Sequence, residues 1–548
     1  MKFLTLAVCF LAAVAVSPGQ RASRSISLEG IKSSGTISRN SANDSQEVIS
    51  ALPRPTGDLA DSMFTGVLLP QPESALAFNL KLDNPTPALN DECGARVAVS
   101  GTTAVMTCHL DDITFTNQGS AYVYVKTGST WTQQALLTAS DAAAGDQFGF
   151  SVAIDGDTIV IGAVADDGTF SNQGSVYVFT RTGTVWTQEA KLTAADPAAD
   201  DLLGWRVDIS GNTVVAAAPY DDGTVVNQGS AYVFLRSGLP AVWTAQAKIT
   251  NPAPVAGDFF AASVAVNGDT VVLGGDGDDV TFTDQGSAYV FVRSGSVWTQ
   301  QALLTAADAA LQDYFGISVD VDGDTVVVGA LQDDVSVTDQ GSAYVFVRTG
   351  TTWTQQTKLL ATGTDPTAAD LFGWMVSIVG ERIAVSAIND DVSLVDQGSV
   401  YLYLRTGSVW NYIDRITATD AAAGDLLGCG MGMSPNAVIA GACGDDGAFA
   451  NQGSSYIFEL APSAADAAVT GRVTSAVGRA ISQVRITLTD SFGVQRRALS
   501  NTFGYFRFES VAAGQDYVLT ADHRAYRFDA QFLSVSDNVS NILFVPKN

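Results

Sequence analysis

Histidine is almost missing from this 548-residue chain: His109 and His523 are the only two. That excludes a multi-histidine metal centre, and any serine triad would have to recruit one of them. Basic side chains are scarce too, 29 Lys and Arg against 57 Asp and Glu, for a net charge of −28. This balance excludes nucleic acid as a partner, because phosphate binding needs clustered cations, and it disfavours anionic membrane surfaces. No stretch beyond the first twenty residues is long and apolar enough to span a bilayer. Helical periodicity is absent throughout. Hydrophobic residues nevertheless make up 46% of the chain, far too many for a disordered polymer.

The beginning of the chain has the pattern of an export signal. Lys2 precedes a mainly apolar run from Phe3 to Val16, followed by Ser17-Pro18-Gly19. Residues 1–20 are therefore expected to be a cleaved signal peptide, and the mature protein to be secreted, periplasmic or at the cell surface. Residues 21–75, rich in Ser, Pro, Gly and Asn, are expected to form a flexible leader or linker.

The body repeats. Gln-Gly-Ser recurs with its Gln at 118, 173, 228, 285, 340, 397 and 452, at spacings of 55 or 57 residues. An Asp-Asp pair precedes each copy, the second Asp always six residues before the Gln. A third acidic position stands two residues before a recurrent Phe-Gly site: Asp91, Asp146, Asp201, Asp258, Asp313, Asp370 and Asp425. Within residues 148–192, four period-2 segments are separated by Asp155-Gly156, by the Asp166-Asp167 loop and by Thr182-Gly183. Four antiparallel strands per 55 residues predict propeller blades. The seventh copy lacks its fourth strand, and Leu76–Leu82 is a fourth strand without a blade, since Leu82 lies 11 residues before Cys93 as Leu192 does before Leu203. The fold expected is all-β: a seven-bladed propeller over 76–460 closed by an N-terminal strand, a linker at 461–466, and a small β-sandwich over 467–548.

These copies resemble FG-GAP repeats, the blades of integrin alpha-subunit propellers. The resemblance rests on Phe148-Gly149 with Gly162-Ala163, Phe315-Gly316 with Gly329-Ala330, Phe372-Gly373 with Ser386-Ala387, and the third-strand string Gly174 to Phe179. The Asp-rich calcium loop of integrin blades has no counterpart, because only tight turns such as Asp155-Gly156 and Asp322-Gly323 stand in its place. Residues 467–548 resemble the carboxypeptidase regulatory-like domain through Val469-x-Gly471-x-Val473, Val484-x-Ile486-x-Leu488 and Gly504-Tyr505-Phe506-x-Phe508. That resemblance implies an accessory module, not a peptidase.

Strand alternation puts the Asp pairs and the third Asp on one face of the disc, as an acidic face. Two readings stand side by side. The carboxylates hold the loops by accepting N–H groups, or sets such as Asp146, Asp166 and Asp167, Asp201, Asp221 and Asp222, and Asp313, Asp333 and Asp334 converge on calcium. The repeat tryptophans read as packing anchors, whereas Trp205 and Trp374, outside the repeat pattern and beside Gly204 and Gly373, are the candidates for ligand contact. Four cysteines fall in blades one and seven. Cys93 and Cys108 lie opposite about the turn at Ser100-Gly101 and are expected to pair. Cys429 and Cys443 sit out of register, which leaves their connectivity open.

The function expected is non-enzymatic: a binding or adhesion protein that recognises an extracellular protein or polysaccharide through the acidic face. A polysaccharide lyase or hydrolase using carboxylates and a metal, and a structural envelope component, are the competing readings.

Overall fold

The computed structural model describes residues 76–548 except 239–240, 362–367, 461–466, 476–477, 491–494, 512–514, 536–538 and 548. The expected signal peptide, the leader and the linker at 461–466 lie outside the described residues. Among those residues there is no helix, and none long and apolar enough to cross a membrane.

Seven four-stranded antiparallel sheets follow one another along the chain. In blade two the strands are Phe148–Asp155, Thr158–Ala163, Ser175–Thr182 and Val185–Leu192. The second strand is buried at every position in all seven sheets. Both of its faces lie against neighbouring sheets, so it reads as a continuous run of Val, Ile and Ala instead of alternating. The outer strands do alternate and carry the exposed polar residues. First strands of successive sheets pack in cyclic order, and Arg96–Ser100 of the first packs on Leu427–Ser434 of the last. Hydrophobic clusters accordingly span sheet pairs, as where Val178 and Leu192 of blade two meet Val207 and Tyr232 of blade three.

The seam is closed by Leu76–Asp83, which pairs antiparallel with Ser454–Leu460. The closing strand removes the unpaired edge that a three-stranded last sheet would expose.

The hairpin turns sit one residue later than sequence reasoning places them. Asp155 pairs with Thr158, so the turn is Gly156-Asp157, and Thr182 pairs with Val185, so the next is Gly183-Thr184. Gly156, at φ 56, occupies the first turn position, where a side chain would be strained. Ser100 likewise pairs with Thr103. Cys93 is bonded to Cys108, and Cys429 to Cys443. Cys429 lies within a register shift between Leu427 and Met431.

The C-terminal domain holds a three-stranded sheet (Tyr505–Val511, Ala467–Val473, Val539–Phe544) and a second sheet built on Arg485–Asp490 and Gln515–His523. Val469, Ile486, Leu488, Phe506, Phe508 and Leu519 form its core.

Candidate functional site

The Gln-Gly-Ser string is a loop-locking device, and each residue has a separate job. The Gln side-chain oxygen accepts N–H groups of the preceding loop, from Phe170 to Gln173 at 3.0 Å and from Thr281 and Phe282 to Gln285 at 2.8 Å. Gly174 has φ 76, and a Cβ there would lie 2.2 Å from the Leu203 carbonyl of the next blade. The Ser hydroxyl donates to the first Asp of the pair: Ser120 to Asp111 and Ser287 to Asp278 at 2.6 Å, with Ser175 and Asp166 paired in the same way. The residue before the Gln is Asn or Asp in every copy. It has φ of 47 to 53, a conformation those side chains tolerate best.

The acidic positions split by role. The first Asp of every pair and the third repeat Asp are buried in all seven blades, and only the second Asp of the pair is exposed. That exposed Asp is also engaged. Asp167 accepts the Asn172 amide and Asp222 the Asn227 amide at 2.7 Å, as does Asp334 from Asp339. The third Asp closes the connector: Asp146 accepts from Ala143, Asp201 from Ala198 and Asp313 from Ala310, each at 2.6 Å. Burial raises the pKa of these carboxyls, to about 6 at Asp91, Asp258 and Asp313. Asp146 and Asp166 do lie near each other, but among the described residues no three His, Cys, Asp or Glu side chains are grouped to hold a metal ion.

Five blades add a cation to this network. Lys191 lies 2.8 Å from both Asp141 and Asp166, Lys358 reaches Asp308 and Asp333, and Lys248 joins Asp196 and Asp221. Lys81, on the closing strand, does the same for Asp420 and Asp445, and Arg415 stands near Asp390. Blades one and four have Leu136 and Leu303 at the cation position. Their connectors hold Thr86 and Ala253 where the charged blades hold Asp. Among the described residues, the four lysine blades hold both the cation and its second carboxylate, and blades one and four hold neither.

The repeat tryptophans are held by their neighbours. Trp186 donates to Gln134 of the preceding blade at 2.9 Å and lies under Arg181, and Trp353 with Gln301 and Arg348 repeats the arrangement.

Symmetry breaks at the mouth of the central channel. Phe150, Trp205 and Trp374 occupy one position of the repeat, at or just before the first strand, where the other blades carry Ala95, Ala262, Ile317 or Cys429. His109, Phe150, Trp205, Tyr220 and Phe259 form a continuous series of ring contacts across blades one to four, with centroids 4.9–5.7 Å apart. Trp374 stands apart from that series and donates to the Cys429 carbonyl at 3.1 Å. Beside the rings are Arg96, stacked on Phe150, and Arg206; desolvation pushes both guanidiniums below their usual pKa. Glu92 lies 3.6 Å from His109, and burial drives the imidazole down to about 3, leaving it neutral.

Asp276 is fully buried. Neither carboxylate oxygen meets a hydrogen-bond partner at full geometry, but its own amide and that of Gly277 lie close enough to lower its pKa against the burial that raises it. Sequence reasoning picked out Trp205 and Trp374 but missed Arg96, Arg206, Tyr220 and Asp276. The signal was present: two residues before each Asp pair stand Val164, Pro219, Leu331, Ile388 and Cys443, and only blades one and four put His109 and Asp276 there.

A family model for the FG-GAP repeat matches residues 131–179, 186–234, 243–291, 298–346, 353–403 and 410–458. A second, for the carboxypeptidase regulatory-like domain, matches 468–541. Each FG-GAP match begins on a Trp-bearing outer strand and ends in the third strand of the following sheet. No curated protein matches the chain. Among solved structures, the crystal structure of Sqt1 from Saccharomyces cerevisiae is similar at 10% identity and a TM-score of 0.40, over 78% of this chain and 98% of that one.

Proposed function

The chain belongs to the FG-GAP repeat family, and from that premise we propose that it is a secreted, non-enzymatic binding or adhesion protein whose loop face recognises an extracellular protein or polysaccharide. FG-GAP repeats and carboxypeptidase regulatory-like domains are typically non-catalytic. The observation that carries the reading is the contrast on the loop face: the repeated carboxylates are engaged by loop amides, hydroxyls and lysines, whereas the channel mouth departs from the repeat with aromatic and charged side chains. Features that every blade shares maintain the blade; those that single out one sector suit a ligand. Fold alone assigns no activity, so the support lies in that sector.

Two measurements on the full chain test this. Retention on immobilised extracellular proteins and polysaccharides is expected, with no product released from any of them. Turnover that disappears when Asp166 or Asp333 is replaced would reverse the assignment in favour of an enzyme.

A further inference from the structure

Two arginines break the repeat inside the central channel. Five residues after the third repeat Asp, blades two, four and five carry Ser151, Ser263 and Ser318, and each hydroxyl donates to a glycine carbonyl of the next blade at 2.7–2.9 Å. Blades one and three put Arg96 and Arg206 at that position instead. Both guanidiniums line a channel cavity of about 280 Å³ and feel each other's charge. Their hydrogen bonds go to main-chain carbonyls, from Arg96 to Ala95 and Cys429 and from Arg206 to Trp205. The Arg96 Nε is buried without a partner. Among the described residues no carboxylate lies within ion-pair distance of either guanidinium, and Glu92 and Asp276 attract them only from farther away.

Two neighbouring like charges, desolvated and without a counter-ion, cost free energy that an anion between them would recover. A guanidinium presents its donors as a planar fork, which fits the two oxygens of a carboxylate. The rest of the cavity limits what that carboxylate can be attached to. A valine from each of the first six blades, Val97 to Val376, and Met431 of the seventh line it, so the body beyond the carboxylate is apolar. Asp208 and Asp320 line it as well. Their oxygens are taken by the Ile209 and Val266 amides, and by the Val321 and Ile378 amides with the Ser377 hydroxyl, but their charge opposes a second negative group on the ligand. A dianion such as phosphate is further opposed by the −28 of the whole chain. The volume is at the small end of ligand sites, about 300–1,000 Å³, which suits a short acid or one terminal residue.

We propose that the central channel binds one carboxylate on a short apolar body, with Arg96 and Arg206 holding the carboxylate and the ring of valines with Met431 receiving the body. Two sources supply that chemistry: a free monocarboxylic acid, and the C-terminal residue of a peptide that ends in a hydrophobic side chain. The site goes beyond the loop-face reading above and stands or falls apart from it.

The test titrates the full chain by calorimetry with hexanoate, with its neutral counterpart hexanamide, with inorganic phosphate, and with short peptides ending in leucine whose C-terminus is free or amidated. Saturable binding of hexanoate or of the free-ended peptide is expected, with hexanamide, the amidated peptide and phosphate at least about tenfold weaker. Hexanoate alone would assign the site to a free acid, and the free-ended peptide alone to a chain terminus; either supports the proposal. Arg206→Gln and Arg96→Gln should each weaken that binding about tenfold. Arg293→Gln, on the third strand of blade four, should leave it unchanged. A thermal melt of each variant separates lost binding from lost folding, and Arg96→Gln stands in if Arg206→Gln does not fold. Equal binding of the neutral counterparts or of phosphate overturns the proposal. So does carboxylate binding that survives both substitutions, and so does failure of both hexanoate and the free-ended peptide to bind.

Discussion

Lys81 lies 2.6 Å from Asp445, joining the strand that precedes the first blade to the loop of the last. The same ammonium reaches Asp420 at 2.9 Å. Burial works against its charge, but the two carboxylates hold its pKa above the ordinary lysine value. The closing strand therefore carries a charge lock as well as a hydrogen-bonded ladder.

Lys81→Met should remove the lock and keep the ladder. Asp445 would stay buried without its cation, at a cost of about 1–2 kcal/mol given partial solvent access at Lys81. Denaturant unfolding of this variant should show a lower midpoint, and an unchanged midpoint would mean that the pair contributes nothing to closure.

The coupled appearance of cation and second carboxylate predicts non-additivity. Lys191→Leu alone should destabilise blade two, whereas Lys191→Leu combined with Asp141→Ala recreates the pairing of Leu303 with Ala253 that blade four already uses. A double-mutant cycle should give a coupling of about 0.5–2 kcal/mol. Simple additivity would contradict the network.

Stability should rise as the solution is mildly acidified. Burial raises Asp208 and Asp276 to about 7 and Asp320 to about 6. A carboxyl whose folded pKa is raised contributes stability that is complete below its unfolded value and lost as pH climbs through the folded value. Melting temperature is thus expected to increase from about pH 8 to about pH 5. Further acidification should reverse the gain, because Asp141, Asp308 and Asp420, despite partial burial, are held below their ordinary values by Lys191, Lys358, and Tyr456 with Lys81. Asp208→Asn should flatten the upper limb, and a melting temperature flat between about pH 8 and pH 5 would count against the whole account.

Calcium and a chelator should each leave the melting temperature unchanged, since the loop carboxylates already have amide, hydroxyl or lysine partners. A shift of several degrees on adding calcium would show that those partners give way to the ion.

Much of this architecture was legible in the residues. Fixed spacing and period-2 strands announced the sheets, and the 11-residue interval from Leu82 to Cys93 marked the closing strand. The direction of the carboxylates was harder to read. Counting acidic residues on one face suggests a charged surface, yet burial turns Asp111-type and Asp146-type side chains inward, where Ser120 and the Ala143 amide meet them. The Ser two residues after each Gln was the clue, because it has no other repeated partner to serve. The mouth was half legible: Trp205 stood out as an extra aromatic, but Asp276 was hidden among so many aspartates until its complete burial distinguished it.

Each family match runs from an outer strand into the next sheet, so the inherited segment straddles two blades instead of coinciding with one. Duplicating such a segment anywhere in the gene would splice in a whole additional sheet, already threaded to its neighbours on both sides, while the joint between the two chain ends stayed as it was. Copy number in such rings can drift during evolution without an intermediate that leaves a raw border.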